Sequence, residues 1–244
     1  MSRIKFLNTY VDNLTMEEAV NKVDELIINK KPSYVVTPNV DHIVKLERDN
    51  EFQAVYKEAD LILADGMPLI WIAKIKKNPI KEKVSGSDLF PEVCKLAAKK
   101  GYKIFILGAA EGVAAKAAEN LEAKYMGLNV VGTYSPSYGF ENKKNEIEKI
   151  VSMINMVKPD ILAVGLGAPK QEKFLYKYRD KLNVPVSLAI GASIDFEAGN
   201  VSRAPEWMQK SGLEWSYRLF KEPKRMFKRY LVNDMKIFKL IFKY

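Results

Sequence analysis

Residues 161–172 read ILAVGLGAPKQE: four apolar residues without polar alternation, two glycines, a proline, and then polar residues suited to a first helical turn. An unalternated run is what a strand requires when helices cover both its faces. A glycine-rich turn from strand into helix is the repeating joint of a parallel α/β sheet. Outward from this joint the same pattern recurs. Tyr34–Thr37, Leu61–Ala64, Ile104–Leu107, Val130–Val131 and Val186–Ile190 read as further strands. Helical periods lie between them: Thr15 with Glu18 forms a capping box for a helix to about Asn29. Ser87 or Asp88 can cap a helix to Lys100, and Gly112–Met126 and Asn142–Val157 keep the same period. The expectation is an open, mostly parallel, Rossmann-like sheet of about six strands with helices on both faces.

The rhythm changes near Asp195. Residues 1–195 are expected to form the α/β catalytic core, and residues 196–244 a basic amphipathic helical appendage. Residues 200–244 hold 11 Lys/Arg against 4 Asp/Glu, a net of +7 out of +9 for the chain, with nine aromatic side chains interleaved. A basic, aromatic end on a nearly neutral body points to a polyanion, either nucleic acid or an anionic bilayer. At the extreme end, Lys236, Lys239 and Lys243 share one side of a helical wheel, opposite Ile237, Phe238, Ile241 and Phe242. Two uses fit this pattern: a helix lying in a membrane interface, or a helix packed on the core with its lysines solvated.

Composition excludes several chemistries. The one cysteine, Cys94, rules out an intramolecular disulfide framework and fits a reducing compartment. The one histidine, His42, removes zinc sites built on several His/Cys ligands, and a Ser-His-Asp triad could run only through it. No stretch approaches the ~18–20 apolar residues that span a bilayer, and MSRIKFLNTYVDN lacks an apolar core of signal-peptide type. A cytosolic-side protein with peripheral membrane contact is expected.

In an open parallel sheet, ligands bind outside the carboxyl ends of the strands. Here those ends carry Thr37-Pro38-Asn39-Val40-Asp41-His42, Asp65-Gly66, Gly108 to Gly112, Gly165 to Glu172, and Gly191 to Asp195. Gly108–Gly112 and Gly165–Gly167 are candidate diphosphate cradles, because glycine lets backbone amides approach an anion at a helix N-terminus; tight structural turns are the alternative. Neither GxGxxG nor a GxxxxGK[ST] loop is present. Asp65 sits after four apolar residues and before a glycine. In a poorly hydrated crevice it suits a general base for a hydroxyl nucleophile; the alternative is a cap for a Pro68–Ala73 helix. Asp41, His42 and Asp195 read as cap or turn residues.

TPNVDH (37–42), ADGMP (64–68), VSGSD (84–88), ILGA (106–109), VGLGAPKQE (164–172), GASID (191–195), RAPEW (203–207), GLEWSYRL (212–219) and EPKRMFKRY (222–230) resemble the WecG/TagA/CpsF glycosyltransferase family across nearly the whole chain. The resemblance implies an inverting transfer, without metal or other cofactor, of N-acetylmannosamine from UDP-ManNAc. The acceptor would be GlcNAc on undecaprenyl diphosphate, at the cytoplasmic face of the membrane, as in the teichoic acid linkage unit. It also implies Asp65 as catalytic base, Thr37 and Asn39 as substrate-pocket residues, and Gln171 as the amide of the PKQE loop. Lys83 stands where the family usually has Arg, keeping the charge without bidentate geometry. Arg203, from RAPEW, joins the substrate-binding set with Gly108 and Gly167. The family's arginines that reach the lipid diphosphate map onto Arg218, Arg225 and either Lys228 or Arg229. The same family with another UDP-sugar, in capsule, exopolysaccharide or enterobacterial antigen synthesis, is the alternative enzyme. A nucleic-acid-binding module is the alternative from a different class, but no DNA- or RNA-binding motif is present and the polar strand ends would be idle. The partners that the resemblance implies are the two substrates; with the basic end, an anionic membrane surface is expected, with room for a homo-oligomer through the core.

Overall fold

A computed structural model describes residues 3–221, 223–227, 230 and 234–244, without the side chains of Glu206, Lys210, Arg218, Lys224 and Arg225. The chain opens with an antiparallel hairpin, β1 (Arg3–Phe6) and β2 (Thr9–Asp12). There follow α1 (Met16–Asn29), β3 (Ser33–Val36), α2 (Val40–Leu46), α3 (Asn50–Lys57), β4 (Leu61–Ile62), α4 (Met67–Ile75) and α5 (Gly86–Lys100). The second half continues with β5 (Lys103–Gly108), α6 (Val113–Lys124), β6 (Asn129–Tyr134), α7 (Lys144–Val157), β7 (Ile161–Gly165), α8 (Lys170–Leu182), β8 (Val186–Ala189) and α9 (Ser193–Glu197). The C-terminal segment holds α10 (Glu206–Lys210), α11 (Glu214–Lys221), α12 (Pro223–Phe227) and α13 (Ile237–Lys243).

Six strands form one sheet in the order β4-β3-β8-β7-β5-β6, and every pairing is parallel. The expected alternation of strand and helix is therefore present, and the sheet is wholly parallel. Successive residues of each strand point to opposite faces. Tyr34, Val36, Phe105, Leu107, Leu162 and Val164 enter a cluster beneath α2, α3, α4, α7 and α8. Val35, Ile104, Ile106, Ile161 and Ala163 enter a second cluster beneath α1, α5, α6 and α9. Both faces are dry, which is why these strands show no polar alternation.

The hairpin is an element the sequence pattern hides. Its four-residue strands turn through Leu7, at φ 47°, without a glycine at that position. It is anchored by Asp12, whose buried carboxylate takes both Arg3 Nε–H and Nη2–H at 2.9 and 2.8 Å. The same carboxylate accepts the Ile62 N–H at 2.8 Å, so the hairpin covers the β4 edge of the sheet.

Two local boundaries differ from expectation. The cap of α5 is Ser85, whose hydroxyl accepts the Asp88 N–H at 3.2 Å; Ser87 and Asp88 lie inside the helix. In α13, Ile237 and Leu240 are buried in the cluster below α2, while Phe238 and Phe242 are exposed. The apolar residues of the last helix thus divide between the core and the surface. Residue 195 falls within α9, which packs on α6, and Ile194 of that helix is buried in the second cluster.

Candidate active site

The chain moves outward from β3 to β4 on one side of the sheet and from β5 to β6 on the other, and β7 and β8 later fill the middle. The carboxyl ends of β4, β3, β8 and β7 therefore adjoin. Outside them lies a polar cavity of about 500 Å³. Thr37, Asn39, Asp65, Gly167, Gln171, Gly191 and Ser193 line it. The N-termini of α5, at Gly86 and Ser87, and of α8, at Gly167 to Gln171, open onto it. The helix dipoles and the amides of the first turns favour an anion there.

A second cavity, of about 580 Å³, lies against the first and is lined mainly by apolar side chains. Met67, Pro68 and Trp71 of α4 form one wall; Leu213, Trp215, Tyr230, Ile237 and Phe238 of the C-terminal segment form the other. Trp215 and Tyr230 meet edge to face at 6.2 Å between ring centres. Gly212 makes the close approach possible: at φ +77°, a Cβ there would stand 2.9 Å from the Met67 side chain. Asn39 and Asp65 line both cavities.

Asp65 follows β4, and its N–H binds the Pro38 carbonyl at 2.8 Å, tying the β4 end to the β3 end. The helix that follows begins at Met67, and its capping position is Gly66, at φ 103° and with no side-chain cap. The capping role thus falls to a residue that has no side chain to offer, and Asp65 is directed to the boundary of the two cavities. Thr37 is buried, its hydroxyl reaching the Ala189 carbonyl at 3.4 Å. Asn39 caps α2, its Oδ1 accepting the N–H groups of Asp41 and His42 at 3.1 and 3.4 Å. Gln171 accepts the Gly191 N–H at 3.2 Å and donates to Glu172 Oε1 at 2.8 Å. Lys45 lines the polar cavity, paired with Asp41 at 2.6 Å.

Lys83 and Arg203 share a single counter-ion. Lys83 Nζ lies 2.7 Å from Asp88 Oδ2 and Arg203 Nη2 lies 2.6 Å from Asp88 Oδ1. Ser85 Oγ donates to Oδ2 at 2.6 Å. Burial pushes the Asp88 carboxyl up, but the Lys83 charge and the hydrogen bonds from Lys83, Ser85 and Arg203 outweigh it and leave it below its ordinary value. Lys83 also lines the apolar cavity.

Gly108 lies apart from both linings. At φ +126° it abuts β7, where a Cβ would stand 2.4 Å from the Gly165 carbonyl oxygen. Close strand packing therefore accounts for that glycine. Gly167, at φ +77°, has open space where a Cβ would be and lines the polar cavity. The side chains of Arg218 and Arg225, and Arg229 and Lys228 altogether, lie outside the described residues. Among the described residues no group of three or more His, Cys, Asp or Glu is gathered as a metal would need, and no helix is long and apolar enough to cross a membrane.

The sequence reading did not single out Lys45 or Trp71; it took Asp88 as a helix cap and Glu172 only as the end of a strand-end motif. Asp88 meets Arg203 across 115 positions and Glu172 meets His42 across 130, separations at which local pattern carries no signal.

Comparison with known proteins adds a further line. The sequence model of the glycosyl transferase WecG/TagA/CpsF family matches residues 4–244. Three relatives carry the name N-acetylglucosaminyldiphosphoundecaprenol N-acetyl-beta-D-mannosaminyltransferase. The chain is 33% identical to the one from Bacillus spizizenii over 195 residues, covering 80% of this chain and 74% of the relative. It is 31% identical to the Bacillus subtilis protein over 214 residues, covering 87% and 81%. It is 26% identical to a Staphylococcus aureus protein over 227 residues, covering 92% and 87%.

Proposed function

This chain belongs to the WecG/TagA/CpsF family of glycosyl transferases, and from that footing we propose that it transfers N-acetylmannosamine to GlcNAc-diphosphoundecaprenol, the reaction in its relatives' name. UDP-ManNAc is the donor in this reading, and the product is a teichoic acid linkage unit. The observation that carries the proposal is that two unlike cavities meet at one carboxylate. A polar cavity rimmed by helix N-termini suits a nucleotide diphosphate; an apolar one suits a polyprenyl-linked acceptor; Asp65 belongs to both linings.

The chemistry is a single displacement with inversion. Asp65 takes the proton of the acceptor's 4-hydroxyl as that oxygen attacks the anomeric carbon. The sugar–phosphate bond breaks and UDP leaves with the electron pair. Its growing charge is met by amides at the N-termini of α5 and α8, which lie fixed before the reaction begins. Thr37, Asn39 and Gln171 hold the sugar and nucleotide. Lys83 and Arg203 are the cations for the lipid diphosphate, exchanging part of their contact with Asp88 for it. Arg218, Arg225 and Arg229 complete that set from the C-terminal segment. The helices of that segment carry exposed Trp207, Phe220 and Phe242 among lysines and rest peripherally on the inner face of the cell membrane.

The test is a panel of UDP-sugars offered with a short-chain diphospho-GlcNAc acceptor, with and without EDTA. UDP-ManNAc is expected to be the preferred donor, with the same rate in both conditions. Transfer from another UDP-sugar alone would reassign the donor, and activity restored only by added Mg²⁺ or Mn²⁺ would overturn the metal-free mechanism.

A further inference from the structure

Beneath the polar cavity lies a buried group of polar side chains that the transfer mechanism leaves unused. His42, on the first turn of α2, is largely buried, and Glu172, on the first turn of α8, is only 1% exposed. Each nitrogen of the His42 ring faces an oxygen. Nδ1 lies 2.8 Å from Asn39 Oδ1, and Nε2 lies 3.3 Å from Glu172 Oε1. Both oxygens are fixed as acceptors by other partners. Asn39 Oδ1 already receives the backbone amides of Asp41 and His42. Glu172 Oε1 receives Gln171 Nε2–H.

A neutral imidazole has one N–H and one lone pair. In either tautomer one ring nitrogen would turn a lone pair toward an oxygen lone pair. The backbone N–H of Asn39 also approaches Nδ1, at 3.3 Å. Nδ1 cannot both accept that proton and donate to Oδ1, and the 2.8 Å contact is much the shorter. Burial of Glu172 beside a neutral ring would leave its charge without compensation. Its Oε2 has no hydrogen-bond partner among the described residues, nor does the hydroxyl of the adjoining Tyr56. A cation at His42 satisfies both ring contacts and compensates a buried Glu172 carboxylate.

We propose that His42 is held as an imidazolium between Asn39 and Glu172, and that it is a positioning residue for the Asn39 carboxamide. With Oδ1 committed to the helix cap and to the ring, the Asn39 amide nitrogen is left as the group turned to the cavities, where the structure gives it no partner among the described residues. Asn39 thereby presents two N–H donors at the boundary where Asp65 also lies. The same carboxylate anchors Gln171, so one buried ion pair orients an amide from α2 and an amide from α8. The part about donors meeting substrate rests on the transfer reading above; the protonation of the ring does not.

The chain has a single histidine, so full-length protein labelled with ¹⁵N-histidine gives a ring spectrum with one assignment. At neutral pH we expect both ring nitrogens protonated, and in Glu172→Gln a ring reverted to a neutral tautomer. A neutral ring in the unaltered protein would overturn the proposal, as would an imidazolium unaffected by Glu172→Gln. Kinetics supply the second arm. His42→Gln retains a capping side chain on α2 but no cation, and should lower kcat/KM about 10- to 100-fold, the scale of a small misplacement in a site. Combined with Asn39→Ala it should add little to the loss from Asn39→Ala alone, because the two act as one unit. Full turnover by a folded His42→Gln, or fully additive losses, would return His42 to the role of a helix cap. A wild-type chain inactive with every UDP-sugar would sink the transfer reading and leave the ring spectrum to decide this one.

Discussion

At the scale of single residues, the site is a set of carboxylates given different tasks by their surroundings. Asp65 stands at the junction of two cavities, Asp88 neutralises two cations, and Glu172 is buried beneath the floor. Asp88 yields a sharp expectation. Its folded-state value is lowered, so its stabilisation is present above the ordinary carboxylate range and is lost as pH falls through the folded value. Asp88→Asn should therefore lower Tm at neutral pH and flatten the acid limb of Tm against pH below roughly pH 4. Equal pH dependence in both proteins would show that the Lys83–Asp88–Arg203 cluster contributes no linked stability. Asp65 could be picked out from sequence because a carboxylate after an apolar run stands at a strand end. The ion-pair roles of Asp88 and Glu172 could not, because their partners come from distant segments. Sequence also left Asp65 divided between base and cap; the helix start at Met67 puts Gly66, not Asp65, at the cap position.

At the scale of elements, the two glycine-rich joints proved unlike. Gly108 has no room for a side chain because β7 lies against it, whereas Gly167 borders the polar cavity with open space. Gly108→Ala is expected to destabilise the fold by about 2 kcal/mol or more, since it combines overpacking with a positive φ. The surviving folded protein should keep its affinity for UDP. A normal Tm with a specific loss of UDP binding would make Gly108 part of the cradle after all. The central strands were legible because both faces are buried and each residue must be apolar. The hairpin was not, since its strands are four residues long and their turn runs through Leu7 and Asn8. The last helix was only half legible: its wheel shows lysines on one side, but docking onto α2 selects Ile237 and Leu240 and leaves Phe238 and Phe242 outside.

At the scale of the whole molecule, the core and the C-terminal segment enclose one apolar cavity, with a wall from each. A chain ending at Gly199 keeps all six sheet strands and α9. It should fold, with a lower Tm, since it loses Ile237 and Leu240 from the core and burial of one such side chain is worth about 1.5–3 kcal/mol. It should also lose the anionic-liposome binding expected of the full chain, which would be worth about 1 kcal/mol per Lys or Arg near the surface and weaken as salt rises. Retention on liposomes by the shortened chain would move the membrane contact onto the core. The parallel fold, its strand-end cavity and the basic end were readable from pattern and charge. The second cavity was not, because it exists only where the tail closes over α4. If both substrates meet at Asp65, Asp65→Asn removes the base at their meeting point and leaves both cavities in place. Turnover of UDP-ManNAc with the short-chain acceptor should fall by ~10²–10⁴-fold, as for a missing general base, while UDP affinity and Tm stay near those of the unaltered chain. Turnover within a few-fold of the unaltered chain would contradict the account.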